Sequence, residues 1–328
     1  MYEAVAGYHV THLLEIAREL GVWDAITHKP GLTSHQLADI AGVDDFYVDV
    51  LCRTAFAFGF LDRDGAGWRM GPHFDQILGK PESSFYLAGT ARVHMLVGDD
   101  YRDYPRLFRT GGTKPYQSHG DAFMREVATA LKSLPAIFVD YVLPQLPRFH
   151  ESLRRASWLL DAGCGAGWAL VQFAQRFPKL RCTGVDVEPY SVSLAKDLIL
   201  RHGLSDRCEA RLGDAGQILA SAAYDVATSF LVIHELDPGI KPAVFRSVAQ
   251  CLAPGGSFLV FDEAYPENDD DLRTMPGRFA ALAQWYELTW GNRVNTRSEL
   301  HSLCRQAGLE VTEETAFSRF HILVATKQ

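Results

Sequence analysis

Apolar residues recur at helical spacing from Val10 through Leu13, Leu14, Ala17 and Leu20, and Gly21 then supplies a stop, so an amphipathic helix is the first element predicted. Thr33 opens a short second helix over 34–40. A third runs from about Asp44 to Phe58, with Tyr47, Val50, Leu51 and Thr54 on one face. Between Phe58 and Pro72, two strand-like runs flank Asp64-Gly65, a dipeptide that favours a hairpin turn. Residues 84–156 read as further helices interrupted by Gly111-Gly112, Pro135, Pro144 and Pro147. From Ser157 the pattern changes. Strand-like runs at Trp158–Leu160, Leu180–Val185, Glu209–Leu212, the stretch from Tyr224 and Gly256–Phe261 alternate with helical segments, as in a parallel sheet covered by helices. Two more runs, Leu309–Thr315 and Phe320–Thr326, close the chain. The pattern predicts a front domain over 1–83, a helical connection over 84–156 and an α/β domain over 157–328.

Three helices and a hairpin have the outline of a winged helix, and the charge decides what that outline can do. Residues 1–80 hold 11 Asp and Glu against 6 Lys and Arg, and the helix that would enter a DNA groove opens on Asp44-Asp45, with Asp49 one turn later. Phosphates would be repelled there. The whole chain, at −8 with a pI near 5.8, points the same way, so no nucleic-acid partner is expected and a structural or dimerising role is. A non-catalytic regulator that keeps the fold to sense a ligand is a separate possibility raised by the same outline. Six cysteines stand apart without a CxxC, which predicts reduced thiols, and no apolar run approaches the ~18 residues of a membrane helix. A cytoplasmic protein acting on a small molecule is expected, with no membrane partner. Tyr101, Tyr104, Tyr116 and His119 could wall a pocket for a flat organic substrate, or simply pack helices.

The first α/β strand leads into Asp161-Ala-Gly163-Cys-Gly165-Ala-Gly167 and then a helix. Glycines there let the backbone turn sharply and a ligand approach the amides at the helix start. A dinucleotide-binding oxidoreductase would want glycine where Trp168 stands, and the acid ahead of the loop, Asp161, suits a cationic ligand better than a pyrophosphate. The second strand ends at Asp186, 23 residues beyond Gly163, where a carboxylate can accept ribose hydroxyls. The third ends at Gly213-Asp214, where an acceptor could take an adenine amino group. One such acid is often only a cap or a turn former, but three in succession behind a glycine loop form a series.

On these motifs the chain resembles the class I S-adenosylmethionine-dependent methyltransferases over roughly residues 155–328. The closing pair of strands matches the antiparallel hairpin that this family adds to a Rossmann-like sheet. The front half narrows the resemblance to small-molecule O-methyltransferases, which dimerise and cover the active site through a winged-helix domain. The resemblance implies a seven-stranded α/β sheet behind a mainly helical domain, a homodimer, and S-adenosyl-L-methionine held by Asp161, Gly163, Gly165, Asp186, Val187, Gly213, Asp214, Ala215 and Ser229.

After the fourth strand comes His234-Glu235-Leu236-Asp237. The run Ser229-Phe230-Leu231-Val232 differs from the Asn/Asp-Pro-Pro-aromatic run of enzymes that methylate base amines. In the resembling O-methyltransferases a histidine at this point is the general base, and imidazole, with a pKa of ~6.5, can take a hydroxyl proton at pH 7. Asp262 matches the first acid that orients that base; the second falls at Val294. Glu287 is a nearby acid in the stretch 279–293, whose Trp285, Trp290, Asn292 and Arg293 are candidate substrate contacts. A second reading resembles metal-dependent C-methyltransferases: His234 and Glu287 would be ligands to a divalent metal holding a chelating 2-oxo acid. Arg293 and Arg297 could pair with a substrate carboxylate.

Overall fold

A computed structural model describes residues 1–218 and 222–328. Backbone contacts divide the chain into two compact units, 1–102 with 125–134, and 103–124 with 135–328. The first unit opens with four helices, α1 (Tyr2–Glu19), α2 (Val22–His28), α3 (Ser34–Ala41) and α4 (Asp45–Ala57), followed by the hairpin β1 (Leu61–Asp64) and β2 (Gly67–Met70) around Gly65. Thr33 and Gln36 form a capping box on α3, and the Asp44 carboxylate accepts the amides of Phe46 and Tyr47 at the start of α4. Gly21 does end α1, but in a left-handed conformation it also opens α2, a helix too short to have shown periodicity. The buried face of α4 is Val48, Cys52 and Ala55, while Tyr47 and Val50 are exposed. These residues join Trp23, Ile26, Leu37, Leu61 and Trp68 in one core. The helix α5 (Gly89–Gly98) completes this unit together with the second half of α7 (Gly120–Leu131), where Gly89 lets the two backbones approach.

The second unit adds α6 (Tyr104–Thr110), α8 (Leu134–Ile137) and α9 (Pro147–Arg155) ahead of its sheet. Its strands are β3 (Trp158–Ala162), β4 (Arg181–Asp186), β5 (Cys208–Leu212), β6 (Tyr224–Phe230), β7 (Leu252–Glu263), β8 (Leu309–Phe317) and β9 (Phe320–Lys327). They form one seven-stranded sheet in the order β5-β4-β3-β6-β7-β9-β8, parallel except for β9, which runs antiparallel to both neighbours. Crossover helices α10 (Trp168–Arg176), α11 (Pro189–Arg201) and α12 (Lys241–Cys251) connect the parallel strands, and α13 (Asp269–Leu272), α14 (Met275–Glu287) and α15 (Arg297–Gln306) precede the closing hairpin. The strand order reverses between β3 and β6, so ligands belong outside the carboxyl ends of these strands. One face of the sheet packs Leu160, Ala227, Phe258 and Leu323 against Phe245 and Val248 of α12 and Leu300 and Cys304 of α15. The helical run over Tyr116–Gln145 reaches the length and hydropathy of a membrane span, which the sequence reading did not expect; 44% of its most apolar window is already buried within the fold.

Candidate active site

The glycine loop follows β3 with Gly163, Gly165 and Gly167 all at positive φ, a conformation that side chains with a Cβ rarely adopt. A Cβ on Gly163 would stand 2.4 Å from Val232, so that glycine lets the exit of β6 close over the loop. Within the loop itself, ahead of the helix start, four amides are already engaged. The amides of Gly163 and Cys164 donate to Val185, that of Gly167 to Cys164, and that of Gly165 to Asp186 at 2.8 Å. Open space lies where a Cβ on Gly165 would stand, leaving room against the loop for a ligand.

The three strand-end acids are each held differently. Asp161 is fully buried on β3 and accepts the Thr228 hydroxyl at 2.7 Å from β6. Burial, resisted by that hydrogen bond, pushes its carboxyl up to about 7. Asp186 at the end of β4 uses one oxygen for Gly165 and the other for the Glu188 amide at 2.9 Å. Burial nevertheless raises its pKa. Asp214 accepts the Gly216 amide at 2.7 Å and the Gln217 side chain at 2.8 Å, the turn-forming role open to any strand-end Asp. Gly213 and Ala215 flank it, and Val187, beside Asp186, is 54% exposed. Ser229 on β6 is buried and its hydroxyl has no partner among the described residues. An orphaned hydroxyl beyond the loop, with the space at Gly165, fits a polar organic cofactor at this strand edge.

Beyond β6 the backbone turns through Leu231, a non-glycine residue at φ 54, whose amide donates to Phe261 on β7 at 2.8 Å. A left-handed leucine is an uncommon, costly conformation. Its effect is to lead the chain from β6 into the short turn Ile233–Glu235 that carries His234. The His234 amide donates to one oxygen of Asp262 at 3.1 Å, and the other oxygen meets Nδ1 of the same ring. One carboxylate on β7 thus fixes both the backbone and the ring orientation. Nε2 faces Glu287 at 3.7 Å. Glu287 in turn accepts from Asn292 Nδ2 at 3.0 Å on the very oxygen that faces His234.

His234, its expected orienting acid Asp262, and Glu287, expected as a nearby acid or a co-ligand of His234, lie together in a buried cluster. Burial pushes the His234 imidazole down, but Asp262 and Glu287 outweigh it and hold its pKa well above the usual value. Burial raises Glu287 to about 7 against the opposing pull of His234, and raises half-buried Glu235 to about 8. Glu263 is pushed up as well, with Arg319 at 3.1 Å compensating in part. The cluster holds protons near neutral pH and can exchange them.

The acceptor-side candidates separate. Trp290 is buried within an aromatic group of Tyr116, His119 and Phe123, with ring centroids 5.4 to 6.0 Å from its own. Trp285 is half exposed and packs edge-on against Tyr104 and Phe108. Of the aromatic wall expected from sequence, Tyr104, Tyr116 and His119 belong to the sheet unit and Tyr101 to the front unit. Asn292 enters the cluster through Glu287, but Arg293 does not. Its exposed guanidinium binds Glu299, which the capping box of Thr296 holds beside it, and Arg297 likewise binds Glu314. Position 294, where the resemblance wanted a second acid, is a buried valine. Sequence reasoning missed Thr228, buried Lys241 and Asn295. The Lys241 ammonium donates to the Arg293 carbonyl at 2.6 Å and to Asn295 at 3.0 Å, bracing the segment that precedes α15. Burial lowers its pKa to about 8.

A sequence profile for the methyltransferase domain matches residues 136–314, more than half of the chain. The chain is 34% identical over 157 residues to aclacinomycin 10-hydroxylase RdmB of Streptomyces purpurascens, covering 48% of this chain and 40% of that one. It is 28% identical over 160 residues to the mitomycin biosynthesis 6-O-methyltransferase of Streptomyces lavendulae, covering 48% and 42%. The matched stretch spans less than half the length of the first curated relatives. Among solved structures, human N-acetylserotonin methyltransferase in complex with SAM shares the fold at a TM-score of 0.78 and 19% identity, over 99% of this chain and 96% of that one.

Proposed function

This chain belongs to the methyltransferase-domain family, with S-adenosylmethionine as the methyl donor, and from that membership we propose that it O-methylates a small phenol or enol using His234 as general base. The observation that carries the reading is the pair of contacts on one ring: Asp262 on Nδ1 of His234, and Glu287 facing Nε2. The donor supplies a methyl group on a sulfonium. The acceptor hydroxyl gives its proton to His234 as its oxygen takes that methyl in line, and the carbon–sulfur electron pair leaves on the sulfur. Imidazole must be neutral for this, and because the charges of Asp262 and Glu287 hold its pKa up against burial, the transfer quickens as pH rises. Asp262 holds the tautomer with Nδ1 protonated and Nε2 free to accept. Glu287 thus stands in for the acid that valine replaces at position 294.

Asp161, Asp186, Val187, Asp214 and Ser229 would hold the donor, and Trp290 with its aromatic neighbours favours a flat acceptor. The 6-O-methyltransferase among the relatives supports this chemistry, while the relative named a hydroxylase shows why membership alone does not fix it. Metal-assisted C-methylation has less support, because the Glu287 oxygen nearest His234 is already bound by Asn292. The proposal extends to a cytoplasmic homodimer formed through the front unit, where Tyr2, Val5 and Tyr8 of α1 and Phe46, Tyr47 and Val50 of α4 lie exposed. The test is incubation with labelled S-adenosylmethionine and a panel of phenols, enols and 2-oxo acids. Methyl found on oxygen, undiminished after chelator treatment, is the expected result; methyl found only on carbon and only with a divalent ion would overturn it.

A further inference from the structure

Toward the β8 edge of the sheet, three residues of the C-terminal region converge although the reaction uses none of them. Glu314 lies on β8, His321 on β9 and His301 on α15. His301 Nε2 is 3.3 Å from one Glu314 oxygen, and His321 Nε2 is 2.9 Å from the other. The three donor atoms all lie within 4.8 Å of one another. Donors on a tetrahedral zinc, bonded at ~2.0–2.1 Å, stand about 3.3 Å apart, so these need only small side-chain movements to close on one ion.

A second, independent feature separates this group from an ordinary ion pair. His321 is 4% exposed, yet its Nε2 makes no hydrogen bond among the described residues, because the nearby carboxylate is poorly aligned for one. A buried ring nitrogen beside a carboxylate but not bonded to it leaves its hydrogen-bonding position unfilled, open to a metal ion between the two.

We propose that His301, Glu314 and His321 form a divalent-metal site suited to zinc, clamping α15 to the β8–β9 hairpin. Two imidazoles and a carboxylate are a common zinc donor set, and the exposed side at Glu314 leaves the fourth position to water. Arg297 binds the Glu314 oxygen nearer His321, at 2.8 Å. Its guanidinium is 58% exposed and free to turn toward solvent, while the other oxygen stays with His301. The site also adjoins the reaction centre: His321 is the cross-strand partner of Asp262, which orients His234. The clamp therefore steadies the strand that carries the orienting acid.

Chelator-stripped full-length protein titrated with zinc against a chromophoric competitor tests this. One zinc per chain is expected, with a thermal midpoint that rises on zinc addition. Cobalt in its place should give visible bands of tetrahedral geometry. His301→Gln, on a half-buried surface position, should weaken zinc binding by more than about 100-fold, since loss of outer-shell partners alone costs 10–100-fold. Its circular dichroism and zinc-free midpoint should match the parent, and Glu314→Gln should repeat the loss. Absence of stoichiometric binding would overturn the proposal. So would binding that His301→Gln leaves intact, which would place the ion elsewhere, for example at His234 and Glu287.

Discussion

At the ends of β4 and β5 the carboxylates of Asp186 and Asp214 are tied mainly to backbone amides, whereas beside the exit of β6 those of Asp262 and Glu287 meet a single imidazole. Backbone amides hold an acid in place whatever its charge does. An imidazole between two acids does the opposite, since each proton that moves changes the pKa of the other partners. The first arrangement suits recognition of a fixed ligand, and the second suits proton transfer. Asp161, buried in the sheet, is held instead by a side chain, the Thr228 hydroxyl of the neighbouring strand.

Substitutions can break this contrast in order of expected effect. Asp262→Asn keeps the shape but can no longer hold the His234 tautomer, so kcat should fall by roughly 10²–10⁴, with S-adenosylhomocysteine binding retained in calorimetry. Asp186→Ala should do the reverse. Loss of hydrogen bonds to a charged group, at about 1.5–3 kcal/mol, predicts roughly 10- to 100-fold weaker S-adenosylhomocysteine binding. The rate at saturating donor should change far less.

Glu287→Gln sharpens the imidazole arrangement. Burial lowers the His234 pKa and the charges of Asp262 and Glu287 raise it, with a net rise. In the parent, kcat/KM should therefore climb with pH as His234 loses its proton, well above pH 6.5. Removing the Glu287 charge lowers that pKa, so the climb should move to lower pH, with a loss of about 10-fold at its plateau. An unmoved profile would detach Glu287 from the base. The smallest effect is expected at Thr228→Val, about 1–2 kcal/mol of stability in urea unfolding. The loss should be fuller above pH 7 than at pH 5, because the Asp161 carboxyl, raised to about 7, is ionised only on the alkaline side.

The same contrast explains what could be read from sequence. Gly163, Asp186 and Asp214 stand at strand ends, where a local pattern and a regular spacing reveal them. The seven-stranded sheet was legible for that reason, since alternating strands and helices specify parallel neighbours. His234 showed itself only as the residue after a strand, and its partners come from β7 and from the end of α14. No local pattern joins positions 234, 262, 287 and 292; the fold does. Thr228 and Lys241 look like an ordinary strand threonine and helix lysine until the sheet closes over them. Arg293 misled in the opposite sense, because an arginine beside tryptophans suggests a ligand contact, while the capping box of α15 had already supplied Glu299 as its partner. In the front unit both faces of α4 carry apolar residues, so periodicity could not choose between Tyr47 with Val50 and Val48 with Cys52.

The central claim is that His234 takes the acceptor's proton during methyl transfer. Single-turnover transfer of a labelled methyl group by His234→Ala, with S-adenosylhomocysteine affinity measured on the same protein, tests it most directly. The account predicts parental affinity and a transfer rate reduced by about 10²–10⁴. Parental affinity together with an unchanged transfer rate would contradict it.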